Sequence, residues 1–167
     1  MKVIFSHGKE SGPWGSKITK LANIAKELGF DVDSIDYTGI TSPEERVAKL
    51  NNYLKNGTQS YILVGSSMGG YVSLVAAQTN KPVGVFLLAP ALFIPEYKQQ
   101  TYPTNLKYLE IIHGWSDDII PVEHSIKYAK QAQCSLHLID GDHRLNYSIK
   151  QVSELFNLFL YTIKGNV

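Results

Sequence analysis

The chain has 167 residues, 44% of them hydrophobic and 19% charged, a composition typical of soluble globular domains that excludes a disordered chain. Sixteen Lys and Arg against fifteen Asp and Glu leave a formal net charge of +1, without the basic footprint of a protein that grips nucleic acid. This length predicts one domain over residues 1–167 with room for a layered core. Cys134 is the only cysteine, which excludes an intramolecular disulfide and a cysteine-based zinc or iron–sulfur centre and fits the cytoplasm. The opening Met1-Lys2-Val3-Ile4-Phe5 is too short for the apolar region of a signal peptide. Every apolar run is broken well short of a membrane span, so no membrane partner is expected.

In chain order, Val3 to Phe5 reads as a first strand, followed by the glycine-rich loop Ser6 to Gly15. Ile18, Leu21, Ile24, Ala25 and Leu28 then share one helical face, and Gly29 stops that helix. A weaker strand is expected around Val32 to Tyr37. The next helix carries its own start signal: Ser42 as N-cap, Pro43 at the first helical position, Glu45 three residues after the cap, and Val47, Leu50 and Leu54 as its apolar stripe. Asn56-Gly57 ends it. Further strands are expected at Tyr61 to Val64, Val83 to Ala89, Leu109 to Ile112 and Leu136 to Ile139, and further helices from about Met68 to Thr79, Val122 to Gln131 and Tyr147 to Ile163.

The strand runs are continuous rather than alternating, the pattern of strands covered on both faces. Alternation of strands with helices predicts an α/β fold: a three-layer α/β/α sandwich of about six mainly parallel strands. Function is then expected at the C-terminal ends of the strands. The segment Pro90 to Lys107, with three prolines and no period, reads either as a loop or as a cap over a site.

After the third strand comes Gly65-Ser66-Ser67-Met68-Gly69-Gly70, a G-x-S-x-G pattern between a strand and a helix. Such a turn projects Ser67, and its glycines permit close backbone approach. The alternative is a glycine-rich turn without chemistry; a phosphate loop lacks its Lys-Ser/Thr and its glycine spacing. A serine hydroxyl needs a base and an acid that orients the base. His113-Gly114-Trp115-Ser116-Asp117-Asp118 and Asp140-Gly141-Asp142-His143 follow two later strands, giving the order Ser67, Asp117, His143. Asp117 is preferred to Asp118, which lies closer to the following helix as a solvated or capping carboxylate.

The remaining histidines read as structural. His7 and His113 are placed to hold loop backbones, His124 in a helix first turn to be solvated, and His137 to be packed or edge-exposed. Cys134 reads as a small apolar filler, and no metal spacing is present, so neither metal nor other cofactor is expected. The oxyanion donors are expected to be the Met68 N–H and one from the first loop, with Lys9 ahead of Glu10. Lys9 and Lys17 read as surface lysines.

Ser67 in Gly65-Ser66-Ser67-Met68-Gly69-Gly70-Tyr71, Asp117 in His113-Gly-x-x-Asp and His143 in Gly141-x-His resemble the α/β-hydrolase superfamily over nearly the whole chain. Length and the His7-Gly8 loop resemble the small bacterial esterase-like hydrolases of the YqiA type. The resemblance implies cleavage of short acyl esters by a serine nucleophile, with no cofactor and a small-molecule ester as partner. The usual two opening antiparallel strands have no place before Val3, and the loop Gly8-Lys9-Glu10 departs from the usual oxyanion sequence. A non-catalytic binding protein on the same fold, or a flavodoxin-like nucleotide or flavin binder, is the competing expectation.

Overall fold

The computed structural model describes residues 1–166. Its strands are β1 (Lys2–Ser6), β2 (Asp31–Ile35), β3 (Tyr61–Ser66), β4 (Gly84–Leu88), β5 (Tyr108–Gly114) and β6 (Ser135–Ile139). They form one sheet in the order β2-β1-β3-β4-β5-β6, with every neighbouring pair parallel. Helices α1 (Ser16–Glu27), α2 (Pro43–Lys55), α3 (Met68–Asn80), α4 (Val122–Ala132) and α5 (Ile149–Lys164) alternate with them. This is the expected α/β/α sandwich.

Two apolar layers explain why the strand sequences do not alternate. Val3, Phe5, Ile62, Val64, Phe86 and Leu88 pack on α1 and α5 through Leu21, Phe156 and Phe159. Ile4, Leu63, Val85, Leu87 and Ile111 point the other way, into a layer with Leu50 of α2, Val72 of α3 and Tyr128 of α4. Strands β1, β3, β4 and β5 therefore bury both sets of their side chains, while the edge strands β2 and β6 are only partly covered.

The start of α2 follows its sequence signal, with the Glu45 amide donating to Ser42 Oγ at 3.3 Å. Helix α5 begins at Ile149, two residues later than the apolar pattern predicts. The Leu145 amide donates to Asp142 Oδ1 at 2.9 Å, and Leu145 itself has φ +57°, so the chain is still turning there. Among the described residues, no helix is long and apolar enough to cross a membrane.

Residues 90–107 contain neither helix nor strand. They are nevertheless pinned to the helices below. Lys98 N–H donates to Glu44 of α2, Gln99 N–H to the Tyr71 hydroxyl of α3, and the Tyr128 hydroxyl of α4 donates to the Pro103 carbonyl. Tyr71, Tyr97, Tyr102 and Phe93 meet at edge-to-face angles.

Strand order reverses between β1 and β3, since the chain leaves β1 toward β2 on one side and β3 toward β4 on the other. At such a reversal, outside the strand C-terminal ends, open α/β sheets bind ligands. Gly8 and Ser67 lie on the loops after β1 and β3.

Candidate active site

Ser67 joins β3 to α3 with φ +55° and ψ −121°, a conformation that costs a non-glycine residue of order 1–3 kcal/mol and needs support from its surroundings. That support is a ring of backbone bonds: Ser67 N–H donates to Leu88 O at 2.9 Å, and Ser67 O accepts from Gly70 N at 2.9 Å and Ala91 N at 3.0 Å. The glycines are sterically required. A Cβ on Gly65 would lie 2.2 Å from Gly69 O, and one on Gly69 only 2.0 Å from Ser6 O. Gly70, outside the sequence motif, is confined as well, with Pro90 Cβ 2.7 Å from its missing side chain.

The structure brings the three separated residues together. Ser67 Oγ lies 2.9 Å from His143 Nε2, and His143 Nδ1 lies 2.7 Å from Asp117 Oδ2. A carboxylate only accepts, so the Nδ1 proton belongs on the Asp117 side and Nε2 is left to accept the serine proton. Asp118 is exposed and makes neither contact nor cap; α4 starts after Pro121 without a side-chain cap.

Asp117 is more elaborately held than the sequence reading foresees. Its Oδ1 accepts from the amides of Ile119 at 2.9 Å and Ile120 at 2.8 Å, and its Oδ2 also lies 2.9 Å from His113 Nε2. Burial opposes ionisation, but the bonds from His113, His143 and the two amides outweigh it and hold the carboxyl well below the usual carboxylate range. His113 is fully buried, and its Nδ1 meets Ser125 Oγ at 2.7 Å while Nε2 also meets Ile120 O at 3.1 Å. It does hold a loop backbone, as expected, and it positions the acid too. The four-residue spacing of His113 and Asp117 marks the acid in the sequence, but the direct bond between the two side chains is what the sequence reading does not foresee. The acid and histidine loops press together at Gly114, where a Cβ would lie 2.1 Å from Gly141 O.

The loop after β1 sits against Ser67: a Cβ on Gly8 would lie 3.5 Å from Ser67 Cβ. His7 is buried behind it. Tyr37 N–H donates to His7 Nε2 at 2.9 Å, which assigns the ring proton to Nδ1 and directs it to Gly8 O at 2.7 Å. Burial pushes the His7 pKa down, against the Gly8 bond and with help from the Arg46 charge. The Met68 amide, first of α3, has no intrahelical acceptor. No acceptor takes it or the Lys9 amide among the described residues.

Lys17 is not an ordinary surface lysine. Its ammonium donates to Arg144 O at 2.9 Å, beside His143, and burial pushes its pKa down to about 8 against the pull of Asp142 and Asp117. His124 is only partly solvated: the residue is half-buried, Phe93 meets it edge-on at 6.0 Å, and its Nδ1 is buried without a partner among the described residues. His137, on the edge strand β6, pairs with Glu110 at 3.0 Å. Cys134 is half-buried, and burial pushes its thiol up to about 11, as suits a filler rather than a nucleophile. Among the described residues, no group of His, Cys, Asp and Glu is arranged to hold a metal.

A family model described as "Uncharacterised protein family (UPF0227)" matches residues 2–105, more than half of the chain, including the first loop and the Ser67 turn. The chain belongs to the UPF0227 family. This bears out the resemblance to hydrolases of the YqiA type. Among solved structures, a protein from Xanthomonas campestris pv. campestris assigned to the alpha/beta hydrolase superfamily is 26% identical to this UPF0227 member. The match has a TM-score of 0.86 and covers 96% of this chain and 98% of that one. Est1E from Butyrivibrio proteoclasticus is 19% identical, with a TM-score of 0.81 over 98% of this chain and 88% of its own. A serine hydrolase without a lid from Xanthomonas campestris is also 19% identical, with a TM-score of 0.71 and coverage of 96% and 81%. At these identities the last two establish a shared fold: this UPF0227 chain has the α/β-hydrolase fold without a lid domain. No curated protein matches the UPF0227 sequence.

Proposed function

We propose that the protein is a serine hydrolase that cleaves small carboxylic esters or thioesters through an acyl-enzyme. The observation that carries this reading is the continuous run Ser67 Oγ, His143, Asp117, at 2.9 Å and 2.7 Å, starting from a positive-φ turn. In the first step, Ser67 Oγ attacks the acyl carbon while its proton passes to His143 Nε2; the carbonyl oxygen becomes an oxyanion held by the Met68 amide and a donor from the β1 loop. The tetrahedral species then collapses, the bond to the alkoxide or thiolate breaks, and His143 returns the proton to that leaving group. Water repeats the sequence on the acyl-enzyme, releasing the acid and restoring Ser67. Asp117 fixes the imidazole tautomer and stabilises the imidazolium that forms in both halves.

Est1E and the lidless serine hydrolase are named for chemistry of this kind, which supports the reading by analogy. A binding protein that kept the fold without turnover is the alternative. A fluorophosphonate probe separates the two: wild-type protein labels at Ser67, gains the mass of the phosphonyl group and hydrolyses p-nitrophenyl acetate. Absence of both labelling and turnover in folded protein refutes the enzyme.

A further inference from the structure

Arg46 is a buried cation without an anion. Its side chain is only 2% exposed, and no carboxylate lies within ion-pair distance among the described residues. Its guanidinium instead grips three backbone carbonyls: Nε donates to Ile40 O at 2.7 Å, and Nη1 to His7 O and Gly8 O, each at 3.1 Å. The guanidinium also lies over the Tyr37 ring at 5.2 Å. Burying an unpaired charge is costly, and an uncharged side chain would fill α2 at lower cost. Such a departure from stability points to function.

The carbonyl it shares with His7 is the informative one. Gly8 O receives both His7 Nδ1–H and Arg46 Nη1–H. In a trans peptide the C=O of Gly8 and the N–H of Lys9 point in opposite directions within one rigid plane. Two donors on the oxygen therefore fix where the Lys9 N–H points. They also draw electron density toward the oxygen and make that N–H a stronger donor. Gly8, which opens this peptide, lies against Ser67, since a Cβ on it would sit 3.5 Å from Ser67 Cβ, and the Lys9 amide has no acceptor among the described residues.

We propose that Arg46, acting with His7, is a positioning residue for the oxyanion hole: it aims and polarises the Lys9 amide through the Gly8–Lys9 peptide. This rests on the serine-hydrolase reading and deepens it by choosing Lys9 over Glu10 as the second donor. Arg46 touches no reacting atom. Its charge acts through one peptide unit, on a partner that gains importance only when the oxyanion forms.

The test uses Arg46→Gln, which keeps a carbonyl-facing donor but no charge, Arg46→Met, which removes both, and Arg46→Lys. With p-nitrophenyl acetate, Arg46→Met lowers kcat by about 10- to 100-fold, below the 10²–10³ typical of deleting an oxyanion donor outright, while KM stays within about threefold. Affinity for an aryl trifluoromethyl ketone, which forms an oxyanion adduct with Ser67, falls in step with kcat/KM, and Arg46→Lys recovers part of the loss. Independently of turnover, the Gly8 carbonyl ¹³C and Lys9 amide ¹H resonances shift in Arg46→Gln relative to wild type. Wild-type kcat in folded Arg46→Gln and Arg46→Met, or unmoved Gly8 and Lys9 resonances in either, overturns the proposal. If wild-type protein has no esterase activity, the serine-hydrolase reading fails, while the resonances still report whether Arg46 holds the peptide.

Discussion

His113 and His143 converge on a single atom: Nε2 of the first lies 2.9 Å and Nδ1 of the second 2.7 Å from Asp117 Oδ2. One oxygen thus ties a fully buried imidazole to the one that faces Ser67. An amide in place of this carboxylate would present its NH₂ to donors or lose the Nδ1 bond, favouring the wrong tautomer of His143. Asp117→Asn is expected to lower kcat by about 10⁴, the scale of the corresponding change in a serine protease. Asp118→Asn, an exposed neighbour, is expected to cost less than about tenfold. A larger loss for Asp118→Asn, measured as kcat/KM on one short ester, would overturn the assignment.

The same four donors make Asp117 a source of acid sensitivity. Its pKa is depressed in the folded protein, so below the ordinary carboxylate value of about 3.9 the unfolded chain binds this proton first. The stability it contributes is complete above that pH and is lost progressively as pH falls toward the lower folded value. Wild-type protein should therefore lose more of its urea midpoint between pH 5 and roughly pH 2.5 than Asp117→Asn does, even though the variant starts lower. Parallel acid limbs for the two proteins would remove Asp117 from this role.

Ser67→Ala is expected to abolish esterase turnover, by at least about 10⁴ in kcat, with an unchanged circular dichroism spectrum. Relief of backbone strain is not expected, because alanine at φ +55° is as constrained as serine. Ser66→Ala should be mild, since Ser66 makes neither contact of the Ser67–His143 pair. Retained turnover in folded Ser67→Ala protein would mean that another group carries the chemistry.

Gly69 separates two opposing effects. It lies in the first turn of α3, where alanine is normally favoured over glycine by about 1 kcal/mol. A Cβ there, however, would sit 2.0 Å from the Ser6 carbonyl, so β1 or the helix must move. Overpacking of this kind costs about 1–3 kcal/mol or more, and the clash wins. Gly69→Ala should lower Tm by several degrees, while Gly57→Ala, whose nearest contact is an ordinary 3.5 Å, should change it little. Equal Tm values for the two variants would contradict the close packing of β1 and α3.

Much of this was legible in sequence because it is local. Ser42-Pro43-x-Glu45 marks its helix start through bonds within four residues, and Gly65 marks the turn through its close approach to Gly69, although Gly69 itself is confined by the distant Ser6 carbonyl. Strand order was not legible: continuous apolar runs reveal two covered faces but not which strands adjoin, and the β1/β3 reversal depends on crossovers of 17 to 25 residues. Arg46 illustrates the harder case. On the α2 pattern it is one more polar residue, and only folding brings it to the carbonyls of His7 and Gly8, 39 and 38 positions away. His124 misled for a related reason, since its burial comes from Phe93 in the irregular 90–107 segment, which has no period to read.

That segment also bears on substrate size. Its hydrogen bonds and aromatic contacts run to α2, α3 and α4, and Ala91 N–H donates to Ser67 O, so it is fastened to the elements around the site. The surface hollows do not supply a long channel. One of about 740 Å³ lies at the starts of β1, β2 and β3, at the opposite end of the sheet, and one of about 690 Å³ runs past Asp142 and Tyr147 without reaching Ser67. Burying a methylene contributes about 0.8 kcal/mol, close to a fourfold gain in kcat/KM per carbon where the transition state buries it. Neither hollow would receive an acyl chain at Ser67, so that gain is not expected and length adds only disorder to be lost on binding. Across p-nitrophenyl acetate, butyrate, hexanoate and octanoate, kcat/KM should peak at acetate or butyrate and then fall. A steady rise of about fourfold per methylene through octanoate would instead require an acyl groove alongside Ser67.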